Sequence, residues 1–400
     1  MRTDLAGLAT LVLTLLSLPS WSQRVWQVSP EGRPFSLSQA LQKAGDGDTI
    51  ELASGDYQAP SAVIAHRRLT LRGATPIPRL LAAGQSAEGK AIWVVRGGEI
   101  RIDNLEFRGA RVPDRNGAGI RLERGKLWLR GCVFVDNEMA LMTANDADIE
   151  LHIEDSHFEH AVRSAAPLAH LLYVGGIDEL SIRGSRFHHS EGGHLIKSRA
   201  RRSWLAYNLV RDGPRGRASY EIEFPNGGDA TLIGNIVVQS PGSENNALIA
   251  YGAEGMRWTA NRLRLVHNTL INEQTRPAEF VKLWPDRVRP DELLMLNNLS
   301  QGAGRLWLPS PGRMEGNWSV HEMRVSGPRP GTAAQPMTPG SVPRVSSKTL
   351  AGADAPLRPD AEFRWPIGTQ ARHSSDPLAT PGALQGGGLT PPWLAGSRSR

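Results

Sequence analysis

The stretch Leu180–Val210, LSIRGSRFHHSEGGHLIKSRARRSWLAYNLV, decides the fold. It holds an apolar-alternating run ending on Phe187, a second short run, HLIKS, and then a new copy of the first, SWLAYNLV, ending on Val210. Alternation with a period of two marks a β-strand buried on one face. Working outward, the first run recurs upstream as LHIEDSHF from Leu151, LWLRGCVF from Leu127 and IRIDNLEF from Ile100. Downstream it recurs as ATLIGNIV from Ala230, LRLVHNTL from Leu263 and LLMLNNL from Leu293. Aligned on Phe107, Phe134, Phe158, Phe187, Val210, Val237 and Leu270, the units step by 27, 24, 29, 23, 27 and 33 residues. A constant strand core with variable spacing is what coils with loops of different length produce. Each unit carries a second strand-like run: GIRLE, ALMT, HLLYV, HLIKS, YEIEF, ALIAY and EFVKLW. The chain is therefore expected to be all-β, a right-handed parallel β-helix whose coils bury their inward side chains against one another.

Two residues before the aligned position stand Leu105, Cys132, Ser156, Ser185, Asn208, Asn235 and Asn268. The late run of Asn resembles the asparagine ladder of β-helices, in which side-chain amides bond from coil to coil at a turn. Cys132 is the only cysteine, so no intramolecular disulfide can form, and in a strand pattern it reads as a small buried hydrophobe. Phe35–Tyr57, FSLSQALQKAGDGDTIELASGDY, reads as a short amphipathic helix, a turn, a strand and a second turn. It resembles the opening of pectin-lyase-like β-helix proteins, where a helix covers the exposed edge of the first coil.

Arg2, the apolar run Leu5–Leu16 and Ser20-Trp21-Ser22 read as a secretory signal peptide over residues 1–22, too short for a comfortable membrane span. The expected product is soluble and exported, periplasmic or secreted, and monomeric. The solenoid is expected over 23–325. From Ser326 to the end, Pro, Gly, Ser and Ala dominate, which predicts an extended segment along the coils and disorder past about Asp376. Forty-six Lys and Arg against 40 Asp and Glu give a net charge of +6. That balance suits an anionic glycan as partner. Nothing resembles a nucleic-acid module, and export argues against that partner.

Inward positions of a solenoid are packed, so chemistry falls to outward side chains on one sheet. Strict alternation in HLIKSR puts Ile196 inward and Leu195, Lys197 and Arg199 outward. In YEIEF it puts Tyr220, Ile222 and Phe224 inward and Glu221 and Glu223 outward. Tyr173 and Lys282 point outward from neighbouring coils by the same rule. Tyr173, Lys197 and Glu223 are thus expected to stack about 4.8 Å apart, flanked by Arg199 and Glu221. Such a group suits β-elimination on a uronic-acid polysaccharide: Arg binds the carboxylate, and Lys or Tyr moves protons. The rival reading is a solvated strand face of Lys–Glu pairs. A third possibility, glycoside hydrolysis, would use Glu221 and Glu223 as paired carboxylates.

HLIKSRARRSWLAYNLVRD followed by ASYEIEFPNGGDATLIGNIVV resembles the core of the alginate lyase and chondroitinase B family of β-helix polysaccharide lyases. The resemblance covers about 60 residues. It implies a lyase, or a related epimerase, with Lys197-Ser198 at the position of the catalytic base. That family's arginine would fall at Glu223 or Phe224, a departure that leaves Arg199 or Tyr173 to supply the acid step, or the protein to bind glycan without cleaving it. Asn226 in Asn226-Gly227-Gly228 reads first as part of a tight turn and second as a groove contact. Glu244 and Glu254 lie in loops that could line the same groove. Two residues past the aligned position, Asp136, His160, His189 and Asp212 form a column that could hold a metal, but no short metal-ligand motif accompanies it. No cofactor is expected, with Ca²⁺ left as the one alternative although the sequence shows no clear acidic cluster to hold it. Trp204, Trp258, Trp284 and Trp307 could stack on sugars or pack between coils and tail.

Overall fold

The computed structural model describes residues 23–161, 170–320, 348–373 and 380–385. The expected leader at 1–22 lies outside them. Parallel strands wind into a solenoid with three strand-bearing faces per coil. Along one coil, His194–Ser198 lies on the first face, Arg202–Ala206 on the second and Leu209–Arg211 on the third. The next coil repeats this with Tyr220–Phe224, Asp229–Ile233 and Ile236–Gln239. Each pairs in register with its predecessor, Lys197 beside Glu223, Trp204 beside Thr231 and Val210 beside Val237. The first and second faces merge where Ala91–Asp103 and Ala118–Arg130 each run through both.

The interior follows from the aligned apolar column. Phe107, Phe134, Phe158 and Phe187 stack ring on ring along the axis, with centroids 5.1, 4.9 and 4.6 Å apart. From Asn104 onward the turns between second and third faces are tight, and a left-handed residue opens each one, as at Asn104, Asp155, Gly184, Tyr207 and Gly234. The next residue in each turn points inward and must satisfy its polar atoms there. Asn208, Asn235, Asn268, Asn298 and Asn317 do so as a ladder, each Nδ2 donating to the next Oδ1 at 2.9–3.0 Å. Ser156 and Ser185 extend it upstream by accepting backbone N–H bonds. Cys132 continues the same column; burial pushes its thiol up to about 12, which suits a packing role.

Leu37–Lys43 is the short helix the sequence predicts. Ser36 and Gln39 close a reciprocal cap at its start, and Leu37 and Ala40 are buried on the first coil. At the other end, the described part of the Pro-rich segment is docked along the outside. Leu350 and Ala361 pack on Ala206, Tyr207, Ile233 and Val266, and Phe363 packs on Leu209, Ile236 and Ile271. The Tyr207 hydroxyl donates to Asp360 at 2.6 Å. Residues 380–385 are also seated: Ala383 is buried and its N–H donates to Thr269. The Thr269 hydroxyl supplies an acceptor that composition alone does not reveal.

Candidate active site

Strict alternation fails on the first face. In coil after coil two consecutive residues enter the interior, among them Ile92-Trp93, Leu171-Leu172, Leu195-Ile196, Leu248-Ile249 and Phe280-Val281. The outward positions are therefore three apart. One outward column runs Met142, Tyr173, Lys197, Glu223, Ala250 and Lys282 in direct register. A second column runs through His170, His194 and Tyr220, whose rings lie 4.7 and 5.3 Å apart in succession.

This pattern corrects three expectations. Leu195 faces inward and is fully buried. Tyr220 faces outward, against His194. Glu221 faces inward, 0% exposed, where the Ser243 hydroxyl donates to its carboxylate at 3.0 Å. Burial, then the nearby Asp212, raises the Glu221 carboxyl well above the usual range. Glu221 and Glu223 therefore lie on opposite sides of their strand, and the paired-carboxylate hydrolase reading loses its geometry.

Lys197 and Glu223 do meet as expected. Lys197 Nζ lies 2.8 Å from Glu223 Oε2, and His194 Nε2 lies 2.8 Å from the same oxygen. Both side chains of the Lys–Glu pair point away from the solenoid interior but are covered, at 9% and 5% exposure. Burial opposes the charged Glu223 carboxylate, yet bonds and charge from His194 and Lys197 outweigh it and hold its pKa below the ordinary value. Behind His194, His170 Nδ1 accepts the His194 backbone N–H at 2.9 Å, which places the His170 proton on Nε2. Burial and the cations nearby keep His170 neutral, its pKa well below the ordinary value.

Arg199 and Glu254 complete the cluster. Arg199 Nη1 donates to the Tyr173 hydroxyl at 2.9 Å, and the guanidinium sits over the Tyr173 ring. Arg199 Nη2 donates to both Glu254 oxygens, at 2.7 and 2.8 Å, and Lys197 Nζ reaches Glu254 Oε1 at 3.3 Å. Glu254 arrives from a loop folded back over the preceding turn. Its N–H donates to Pro225 O, Arg257 N–H donates to Asn226 O, and the Trp258 indole donates to Arg199 O. Asn226 serves that turn through its backbone, with Gly227 and Gly228 left-handed beside it.

Of the sequence-predicted residues, Tyr173, Lys197, Arg199, Glu223 and Glu254 are brought together. Lys282 lies two rungs past Glu223 on the same column, its ammonium over Trp284 at 5.2 Å. Glu244 is not part of the cluster: it is exposed at the corner before Ala247–Tyr251, and its carbonyl accepts from Arg276. His194, His170 and Tyr220 were missed as site residues. Their signal was the residue opening each of the runs HLLYV, HLIKS and YEIEF. Asp136 and His189 are left-handed turn residues, and Asp212 is a buried acceptor for the backbone of Ser190 and Ala218, so that column is a turn; the His160 side chain lies outside the described residues. Among the described residues no group of three or more His, Cys, Asp or Glu side chains is placed to hold a metal ion. Trp204 packs beneath the docked tail, whereas Trp307 is 46% exposed under Arg305. No helix among the described residues is long and apolar enough to cross a membrane.

No family model and no curated protein matches the chain. Among solved structures it is similar to pectate lyase Pel9A, at 13% identity over 91% of this chain and 96% of that one, with a TM-score of 0.51. An alginate lyase from Paenibacillus sp. str. FPU-7 superposes with a TM-score of 0.41, at 15% identity over 74% of this chain and 98% of that one. A mannuronic acid specific polysaccharide family 6 lyase from human gut microbiota gives 0.30, at 14% identity over 71% and 87%. The latter two superpose too loosely to add to the first. The likeness to the pectate lyase shows the fold: this chain is a right-handed parallel β-helix.

Proposed function

We propose that the protein is an exported lyase that cleaves an anionic, uronic-acid polysaccharide by β-elimination at the Tyr173–Lys197–Arg199–Glu223 cluster. The observation that carries this reading is the Lys197–Glu223 pair at 2.8 Å, with a guanidinium and a phenol on the same outward face. Arg199 takes the uronate carboxylate and makes the neighbouring C5–H more acidic. Lys197 gives its ammonium proton to solvent and, as the free amine beside Glu223, takes the C5 proton. The electrons of the C5–H bond form the C4–C5 double bond as the C4–O4 bond breaks, and the Tyr173 hydroxyl protonates the leaving O4. Solvent then returns a proton to Tyr173, and Lys197 and Glu223 regain their ion pair. His194 holds Glu223 in place through Nε2 and acts as a positioning residue.

Product analysis on uronate oligomers tests the reaction. Elimination yields non-reducing ends lighter than hydrolytic ends by one water, and these products should vanish with Lys197→Ala. Saturated products would overturn the lyase reading. A second reading, glycan binding without turnover, draws on the placement of Lys197 between two carboxylates and on the acidic residue where the resembled family has arginine. It predicts retention on an anionic glycan with no product of either kind.

A further inference from the structure

The carboxylate on Arg199 is not a substrate's but the protein's own. We propose that Glu254 occupies the position a substrate carboxylate takes, so that Arg199, Lys197 and Tyr173 form a carboxylate-binding site that ligands enter by displacing it. This rests on the reading of the cluster as a uronate site and names the group that sets its selectivity.

The donors are fixed while the acceptor is free to leave. Arg199 is held by the Tyr173 hydroxyl and ring and by the Trp258 bond to its carbonyl; Lys197 is held by Glu223. Their side chains are 15% and 9% exposed. The Glu254 side chain is 43% exposed and approaches from the solvent side. Its backbone is tied to Pro225, so the carboxylate can swing into water by side-chain rotation alone. When it leaves, the hydrogen-bond donors it vacates are still in place for another carboxylate.

Charge points the same way. With Glu254 in place, two cations face two carboxylates. With Glu254 withdrawn, Lys197 and Arg199 outnumber Glu223 by one positive charge, which one uronate carboxylate matches. A neutral sugar would evict Glu254 and leave that charge and the Arg199 donors unpaired, a penalty of the kind that produces strong discrimination. The resting contact therefore competes with a ligand that takes the Arg199 donors through its own carboxylate, whereas a neutral sugar, which supplies no carboxylate, gains nothing from its removal.

Calorimetric titration of the full chain with glucuronate, and with glucose as the neutral control, tests this in Glu254→Gln and Glu254→Ser. Both variants should bind glucuronate at least tenfold more tightly than the parent, with no gain for glucose. Arg199→Ala should abolish binding in either background. Equal or weaker glucuronate binding in both variants, while the parent still binds, would overturn the displacement proposal and leave the uronate reading standing. No glucuronate binding by the parent or either variant would overturn both. Matching urea midpoints show that a change in affinity is not a change in folding.

Discussion

Replacing Glu223 by leucine should destabilise the protein more than any surface ion-pair deletion, and the structure sets the scale. At 2.8 Å and an effective dielectric of about 20, the Lys197–Glu223 attraction is about 6 kcal/mol before desolvation is counted. Desolvation cancels much of that. Removing one partner nevertheless strands the other charge under cover, at a cost of about 3 kcal/mol. Glu254, 3.3 Å from Lys197, compensates in part, which places Glu223→Leu at the lower end of the range for broken buried pairs. Lys197→Met should cost a similar amount. The double variant removes both charges and should recover about 2 kcal/mol relative to the sum of the singles. Urea unfolding followed by tryptophan fluorescence measures this, provided the m-values agree across the four proteins. If the two single losses add to within about 0.5 kcal/mol, the pair is solvent-screened and the buried cluster is not as described.

Three other perturbations probe the frame. Asn235→Ala removes the side chain that bonds Asn268, Asn208 and Leu205 in the buried ladder, and should lower the unfolding free energy by about 2–4 kcal/mol. Glu221, fully buried with its pKa raised above 4.5, favours folding in its protonated form. That contribution is complete below about pH 4.5 and is lost as pH rises through the higher folded value. Glu221→Gln should therefore gain stability relative to the parent at pH 7 and flatten the decline seen between acid and neutral pH. An unchanged pH profile would contradict the inward placement of Glu221. Tyr207→Phe deletes the hydroxyl that donates to Asp360 and accepts its N–H; amide exchange at Ala361–Phe363 should accelerate about tenfold, while the ladder amide of Asn235 stays protected.

The solenoid was legible because its signals are local and repeated. Phe107, Phe134, Phe158 and Phe187 recur in one column and the ladder asparagines in another, and each column occupies one place in every coil. Lys197 and Glu223 were legible for the same reason: register along a parallel stack converts sequence alignment into adjacency. The errors came from assuming a period of two without interruption. Where Leu195-Ile196 and Glu221-Ile222 both turn inward, alternation holds on one side of the break and inverts on the other. It therefore placed Lys197, Arg199 and Glu223 correctly but misplaced Leu195, Tyr220 and Glu221. The fold-back of the loop bearing Glu254 onto Arg199 depends on backbone bonds to Pro225 and Asn226, which no periodicity encodes.

The most direct measurement records the ultraviolet absorbance of unsaturated uronate ends when the full-length protein is mixed with polygalacturonate, alginate or glucuronate-containing polymers. β-Elimination at Lys197 gives a steady rise with at least one of them, reduced to background by Lys197→Ala and retained in part by His194→Asn. A flat trace with every polymer, or a Lys197→Ala variant as active as the parent, would contradict it.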